Sequence, residues 1–227
     1  MIKIENLVKQ YGDIRAVDNI SFEVNEGEIV GFLGPNGAGK STTLNIITGY
    51  LSADSGSVKI DGTDILQNPI KAKKDIGFLP EIPPLYLEMT VLEYLNFVYD
   101  LKGCKLPRKQ HLKEICEVVK IWDVANRLTK NLSKGYRQRV GIAQALIGNP
   151  KVLIFDEPTI GLDPRQIIEI RNLIRMLGKE HTIILSTHIL PEVQAVCDRI
   201  VVINKGEIVA NEKTEDLVNA VDGSRKL

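Results

Sequence analysis

The run Ile29-Val30-Gly31-Phe32-Leu33 passes directly into Gly34-Pro35-Asn36-Gly37-Ala38-Gly39-Lys40-Ser41-Thr42, and no other feature constrains this chain so tightly. The apolar run reads as a buried strand, and GxxxxGK[ST] straight after it requires a tight loop that opens a helix near Gly39. A triphosphate needs a concave array of backbone N–H donors, which Gly37 and Gly39 permit by adopting backbone angles closed to other residues. The start of the helix adds its positive end. Lys40 can reach the β and γ phosphates as a mobile point charge, while the Ser41 hydroxyl suits Mg²⁺.

A second apolar run, Val152 to Phe155, ends in Asp156-Glu157. A carboxylate at the C-terminal end of a parallel strand, beside a phosphate loop, can hold Mg²⁺, which is the role Asp156 suits. Glu157, one residue on, is placed to orient and deprotonate an attacking water. The bland alternative, a helix N-cap, fits an isolated Asp better than two acids following a fully apolar strand.

The rest of the chain is ordered around these two segments. Ile2 to Val8, Ile20 to Val24, Glu28 to Leu33 and Ser57 to Asp61 read as strands separated by turns at Asn25-Glu26-Gly27 and Asp61-Gly62. Thr90 to Lys102 and Pro107 to Trp122 place Leu, Ile and Val at helical spacing, so the middle reads as a helical insert. Beyond Asn149-Pro150, strands at Val152 to Phe155, Thr182 to Ser186 and Ile200 to Ile203 alternate with helices from about Pro164 and at Pro191 to Val196. Such alternation predicts a parallel sheet covered by helices. Lys plus Arg and Asp plus Glu are 29 each, which leaves no basic surplus for a nucleic-acid backbone. No apolar stretch is long enough to span a bilayer, and Met1 to Gly12 carries charges where a signal peptide needs an apolar run, so a cytoplasmic protein is expected. Cys104, Cys116 and Cys197 lack the spacing of a zinc site or a disulfide framework and are expected to be buried.

Between the phosphate loop and the acid pair stands Leu132-Ser133-Lys134-Gly135-Tyr136-Arg137-Gln138-Arg139. With these three segments the chain resembles the nucleotide-binding subunit of ATP-binding-cassette (ABC) transporters, whose signature is usually LSGGQ followed by a basic, Gln-containing helix. Lys134 replaces the first Gly and Tyr136 the Gln, departures that look like the branch serving multidrug, bacteriocin and related ABC-2 type exporters. The resemblance runs from Ile2 to about Glu215. It implies one ABC ATPase domain over 1–227, with a β and RecA-like core over about 1–81 and 150–227, an N-terminal antiparallel β subdomain, and a helical subdomain carrying the signature over about 82–149.

The same resemblance implies functions for further positions. Tyr11 matches the aromatic that stacks on adenine, with Val17 beside it, and a flat ring offers a base a π surface. Gly34, Pro35, Asn36, Ala38 and Thr42 complete the ATP-binding loop. Glu81 stands where the family has a glutamine; its carboxylate can offer oxygen to Mg²⁺ or water, at the cost of negative charge near the phosphates. Ser133 and Gly135 are implied to face the nucleotide of a second subunit, Asp163 lies in the loop that crosses to it, and His188 matches the switch histidine that senses the γ phosphate. The implied protein binds Mg-ATP, pairs head to tail with a second nucleotide-binding subunit, either a second copy or a close relative, and powers a separate integral membrane permease, in this branch an exporter, from the cytoplasmic side of the membrane, with no nucleic acid as partner.

Rival readings are a soluble translation or repair ATPase, which would carry two cassettes or a long coiled coil, and a kinase, which would have an acceptor site and a lid instead of the signature. Ile82-Pro83-Pro84-Leu85-Tyr86-Leu87 reads either as packing under the helical insert or as an exposed docking groove. Trp122 is expected in core or rim packing, Met89 and Met176 in ordinary packing. Many exporter ATPases of this branch carry a longer C-terminal extension, and Ala220 to Leu227 is too short to be one.

Overall fold

The structure, a computed structural model, describes residues 1–216; the tail Ala220 to Leu227 lies outside them. The chain opens with two strands, β1 (Ile2–Tyr11) and β2 (Ile14–Val24), whose inward residues Ile2, Ile4, Leu7, Ile20, Phe22 and Val24 are buried. The apolar β3 (Ile29–Leu33) leads into α1 (Lys40–Ile47). After these come β4 (Ser55–Ile60), β5 (Thr63–Asp64), α2 (Pro69–Lys74) and β6 (Ile76–Leu79). Three helices follow, α3 (Val91–Leu101), α4 (Arg108–Val118) and α5 (Lys134–Leu146). The last part alternates: β7 (Val152–Asp156), α6 (Pro164–Leu177), β8 (Thr182–Thr187), α7 (Leu190–Val196), β9 (Arg199–Asn204) and β10 (Glu207–Lys213).

An antiparallel sheet of order β2-β1-β4-β5 lies beside a six-stranded sheet of order β10-β9-β3-β8-β7-β6. The larger sheet is parallel except for β10, which pairs antiparallel with β9. This is the expected class: a RecA-like parallel core, an N-terminal antiparallel β subdomain and an inserted helical subdomain. Every residue of β7 and β8 is buried, as a parallel sheet covered on both faces requires. Successive side chains point to opposite faces, and the two cores follow that alternation. Val152 and Ile154 join Val30, Phe32, Ile184 and the β1–β2 residues in one core. Leu153 and Phe155 join Ile183, Leu185 and the apolar faces of α3 to α6 in the other.

Local chemistry sets the helix starts. Thr90 and Glu93 form a reciprocal capping box at the start of α3, as the helical pattern from Thr90 predicts. Asp163 caps α6 ahead of Pro164, accepting from the Gln166 N–H at 3.0 Å. Three details differ from the sequence reading. Helix α4 stops at Val118, short of Trp122, which sits in a separate 3-10 turn with 46% of its surface exposed, the rim position being one of the two expected. Cys104 is half-buried, whereas Cys116 and Cys197 are buried as expected; burial pushes the Cys116 thiol up to about 11 and raises that of Cys197 as well. Met176 is 44% exposed, while Met89 packs on the helical core. Among the described residues no helix is long and apolar enough to cross a membrane.

Candidate active site

The site forms where β3, β7 and β8 end. The sequence places the acid pair beside the phosphate loop, but β8 lies between β3 and β7 and inserts Ser186, Thr187 and His188 at the junction. The loop from Gly34 is pinned at both sides: the Gly34 N–H donates to the Thr187 carbonyl at 3.3 Å, and the Ala38 carbonyl accepts from the Gly206 N–H at 3.0 Å. Gly39 caps α1 with φ of 107° and packs so closely on the Ala16 carbonyl that a side chain there would collide with it. The first N–H groups of α1 therefore face the loop's concavity without intrahelical partners.

Lys40 is 6% exposed, and its Nζ donates to the carbonyls of Gly34 at 2.7 Å and Pro35 at 3.2 Å. The same Nζ lies 3.7 Å from the Glu157 carboxylate. Asp156 is buried and accepts a hydrogen bond from the Ser186 hydroxyl. Glu157 adopts the left-handed conformation, φ 47°, a cost of about 1–2 kcal/mol for a non-glycine residue. Its N–H donates to the Ser186 carbonyl at 3.1 Å, and its carboxylate oxygens lie 3.0 and 3.1 Å from His188 Nδ1. The strained turn therefore directs the Glu157 carboxylate at Lys40 and His188 and away from the sheet.

Lys40, Glu157 and His188 line a cleft of about 340 Å³ together with Ala16, Asn36, Gly37, Ser41, Thr42, Glu81 and Ile160, while Asp156 and Ser186 lie behind its wall. A larger cavity of about 440 Å³, between α4 and the end of α6, contains none of the phosphate-loop residues, so the chemistry belongs to the smaller one. Ala16 and Ile160 escaped the sequence reading because neither carries a reactive group. In sequence Ser186 stands only as the start of the Ser186-Thr187-His188 segment, with no role of its own. Val17 is a correction: its side chain is fully buried in the β-subdomain core, and Ala16 is the residue at the cleft. Tyr11 stays half-exposed at the end of β1, beyond the cleft lining, with Lys9 Nζ 5.7 Å from its ring centre.

Ser133, Gly135 and Asp163 are also outside the cleft. Ser133 caps α5 through a hydrogen bond from the Tyr136 N–H at 3.4 Å, and the Tyr136 hydroxyl donates to Asp123 at 3.0 Å, which raises the Tyr136 pKa. The signature also touches the segment after the acid pair within one chain. The end of the Gln166 side chain of α6 lies over Gly135, so a side chain there would have to push it aside, and the Lys134 ammonium lies over Gly161.

Ser41 and Glu81 line the cleft, and Asp156 is buried at the end of β7 beside Glu157, so the oxygen donors for Mg²⁺ would be the Ser41 hydroxyl and these two carboxylates. No cluster of three or more His, Cys, Asp or Glu side chains is arranged as a metal cage among the described residues. That donor set fits Mg²⁺, which is held by one or two carboxylates with substrate phosphates and water completing its shell.

A parallel sheet that presents a phosphate loop, an acid pair and a histidine at adjoining strand ends defines a phosphate-loop nucleoside triphosphatase. The ABC transporter family model matches residues 17–160. The chain is 40% identical to an uncharacterised ABC transporter ATP-binding protein of Bacillus subtilis, YxlF, over 96% of this chain and 72% of that one. It is 38% identical to the bacitracin transport ATP-binding protein BcrA of Bacillus licheniformis, over 92% of this chain and 68% of the relative. Among solved structures, the dimeric ABC transporter cassette MJ0796 superposes with a TM-score of 0.85 at 31% identity, covering 94% of this chain and 99% of that one. The same cassette is known in a post-hydrolysis state bound to ADP and Pi. The chain belongs to the ABC transporter family as an ATP-binding subunit, and it is an ATPase.

Proposed function

We propose that this subunit pairs head to tail with a second nucleotide-binding subunit around two Mg-ATP and drives a separate membrane permease from the cytoplasmic side, in the direction of export. The observation that carries the pairing is the division of the site: Lys40, Glu157 and His188 share one cleft, while Ser133 at the start of α5 lies outside it. A second copy supplying Ser133 and Gly135, with Asp163 in the crossing loop, completes each half. The dimeric state of MJ0796 supports this arrangement, and the transport named for BcrA supports the coupling to a permease.

In this reading Tyr11 stacks on adenine and the loop from Gly34 to Thr42 holds the phosphates. Lys40 balances charge on the β and γ phosphates. Ser41 and Asp156, with Glu81, hold Mg²⁺, which when bound neutralises phosphate charge. Glu157 takes the proton of the attacking water, and His188, in contact with the same carboxylate, fixes its orientation toward the γ phosphate. Glu81 is exposed at the cleft wall, with no hydrogen-bond partner among the described residues. Glu81→Gln should therefore shift the Mg²⁺ concentration for half-maximal turnover upward by about 3-fold or more while ATP affinity moves less than about 2-fold. A magnesium titration of ATPase activity reads this directly.

The segment after Glu81 divides between the two uses considered for it. Leu85 packs against the helical core, whereas Ile82 is 81% exposed, Tyr86 53% and Leu87 47%, and the Tyr86 ring meets Phe97 of α3 edge-on at 5.3 Å. Close by, Tyr50, Lys73, Phe78, Lys102 and Gln144 line a groove of about 260 Å³ between the helical subdomain and the core. This apolar surface with a basic border is our proposed permease contact. Tyr86→Glu should reduce transport at least about 10-fold, the loss expected for an interface aromatic, while the ATPase rate of the isolated subunit stays within about 2-fold. Reconstituted transport and soluble ATPase assays on the same variant separate the two.

The division of the site is tested by mixing a Ser133→Glu subunit with a Lys40→Ala subunit. In a head-to-tail pair each mutant damages a different half-site on its own chain, so one composite site of the mixed pair carries both lesions and the other none. ATPase activity should reappear in the mixture and be absent from either variant alone.

A further inference from the structure

Glu192 is 3% exposed on α7, away from the residues assigned to ATP. A buried carboxylate persists only where donors compensate its lost hydration. Here both of its oxygens accept from the Thr159 hydroxyl at 2.8 Å, and Oε2 also accepts from the Thr187 hydroxyl at 3.0 Å. The Arg171 guanidinium of α6 approaches Oε1 at 3.7 Å, and its Nε is buried without a hydrogen-bond partner. Thr159 lies two residues after Glu157, and Thr187 immediately precedes His188. The Thr187 hydroxyl also accepts from the Ile189 N–H at 3.2 Å, which closes the turn around His188. Val193, next to Glu192, is fully buried against Gly31 of β3, the strand that feeds the phosphate loop.

We propose that Glu192 is a positioning residue for hydrolysis: its carboxylate ties the segment carrying Glu157 to the segment carrying His188 and so sets the contact between them. The connections form a closed ring, from Glu157 along the chain to Thr159, through the Glu192 carboxylate to Thr187, along the chain to His188, and back across 3.0 Å to Glu157. A ring of this kind restrains the reactive pair from both sides, and a misplacement of about 1 Å in such a pair can cost about 10²-fold in rate. The charge matters as well as the shape, because two hydroxyls donate to one group. An amide there has a single acceptor oxygen and would have to turn its NH₂ toward one of the threonines. This inference rests on the reading of Glu157 and His188 as the hydrolytic pair.

Glu192→Gln, Thr159→Val and Thr187→Val test it, each measured for kcat per bound nucleotide, for the dissociation constant of a fluorescent ATP analogue and for Tm. The expected result is a loss of about 10- to 100-fold in kcat for Glu192→Gln, with nucleotide affinity within about 2-fold of wild type. Thr159→Val should lower kcat in the wild-type background and add almost nothing on top of Glu192→Gln, the non-additivity of groups acting as one unit. If Glu192→Gln fails to fold, the two valine variants, each removing a single hydroxyl, carry the same expectation. A kcat per occupied site equal to wild type, with only Tm lowered, overturns the proposal, as do losses in Thr159→Val and Glu192→Gln that simply multiply. Glu157→Gln in parallel separates the layers: wild-type turnover there refutes the hydrolytic pair itself, whereas an inactive Glu157→Gln beside a fully active Glu192→Gln refutes the role of Glu192 alone.

Discussion

Glu157→Gln should bind Mg-ATP with near-native affinity and hydrolyse it about 10²–10⁴-fold more slowly, the range expected when a positioned general base is lost. The substitution keeps the size of the side chain and removes its basicity and charge. The left-handed backbone at this residue is held by the Ser186 carbonyl and is independent of the carboxylate, so the loop geometry is retained. The Lys40 ammonium keeps its bonds to the Gly34 and Pro35 carbonyls, and the groups that hold the triphosphate are untouched. Binding and cleavage thus separate because they reside on different segments. The affinity of a fluorescent nucleotide and phosphate release, measured on the same preparation, check both halves of the expectation.

Lys40→Ala should act on both steps at once. Its ammonium is the cation of the cleft that can lie along the β and γ phosphates, and it is preorganised by burial and by two loop carbonyls. Removing one preorganised charge-stabilising group costs about 10²–10³ in turnover, and here ground-state binding weakens as well because the charge is already present on bound ATP. The fold should survive, since the side chain contacts the loop and Glu157 and not either hydrophobic core. Circular dichroism with isothermal titration of ATP distinguishes this from unfolding: an unchanged melting transition with ATP binding weakened at least about 10-fold is expected.

These two residues were legible in the sequence because their chemistry forces a fixed order: an apolar strand, a loop with glycines at set offsets and a lysine at the helix start, then a second apolar strand ending in two acids. The strands β3, β7 and β8 were legible for the same reason, each carrying an unbroken run of buried, mostly apolar residues, with polar ones only at the strand ends. Elements whose stability comes from tertiary packing left weaker traces. Helix α2 buries only Ala72 of its six residues, and β10 is an edge strand with no fully buried residue, so neither shows a hydrophobic period. Helix α5 reads as a helix through its family resemblance more than its pattern, since it buries Gln138 and Arg139 as well as apolar residues.

Spatial order was the other gap. No periodicity reveals that β8 lies between the phosphate-loop strand and the acid strand, yet this insertion brings Ser186 to Asp156 and His188 to Glu157. Val17 illustrates the same limit in reverse. Its neighbourhood to Tyr11 in sequence and resemblance pointed to nucleotide contact, while the β1–β2 register turns its side chain into the subdomain core and leaves the adjacent Ala16 at the cleft. Glu192 carried no sequence signal beyond being an acid on a short helix; only the convergence of Thr159 and Thr187 on its carboxylate distinguishes it.

The central claim is that each site is completed by a second subunit, and the mass of Glu157→Gln in solution tests it most directly. With saturating Mg-ATP, light scattering behind size exclusion should give twice the 25.3 kDa of one chain, reverting to a single chain with ADP. In the proposed pair Ser133 and Gly135 would meet the γ phosphate across the interface, a contact that ADP cannot make, and the dependence follows from that. A variant that binds Mg-ATP stoichiometrically and remains at 25.3 kDa would contradict the composite site.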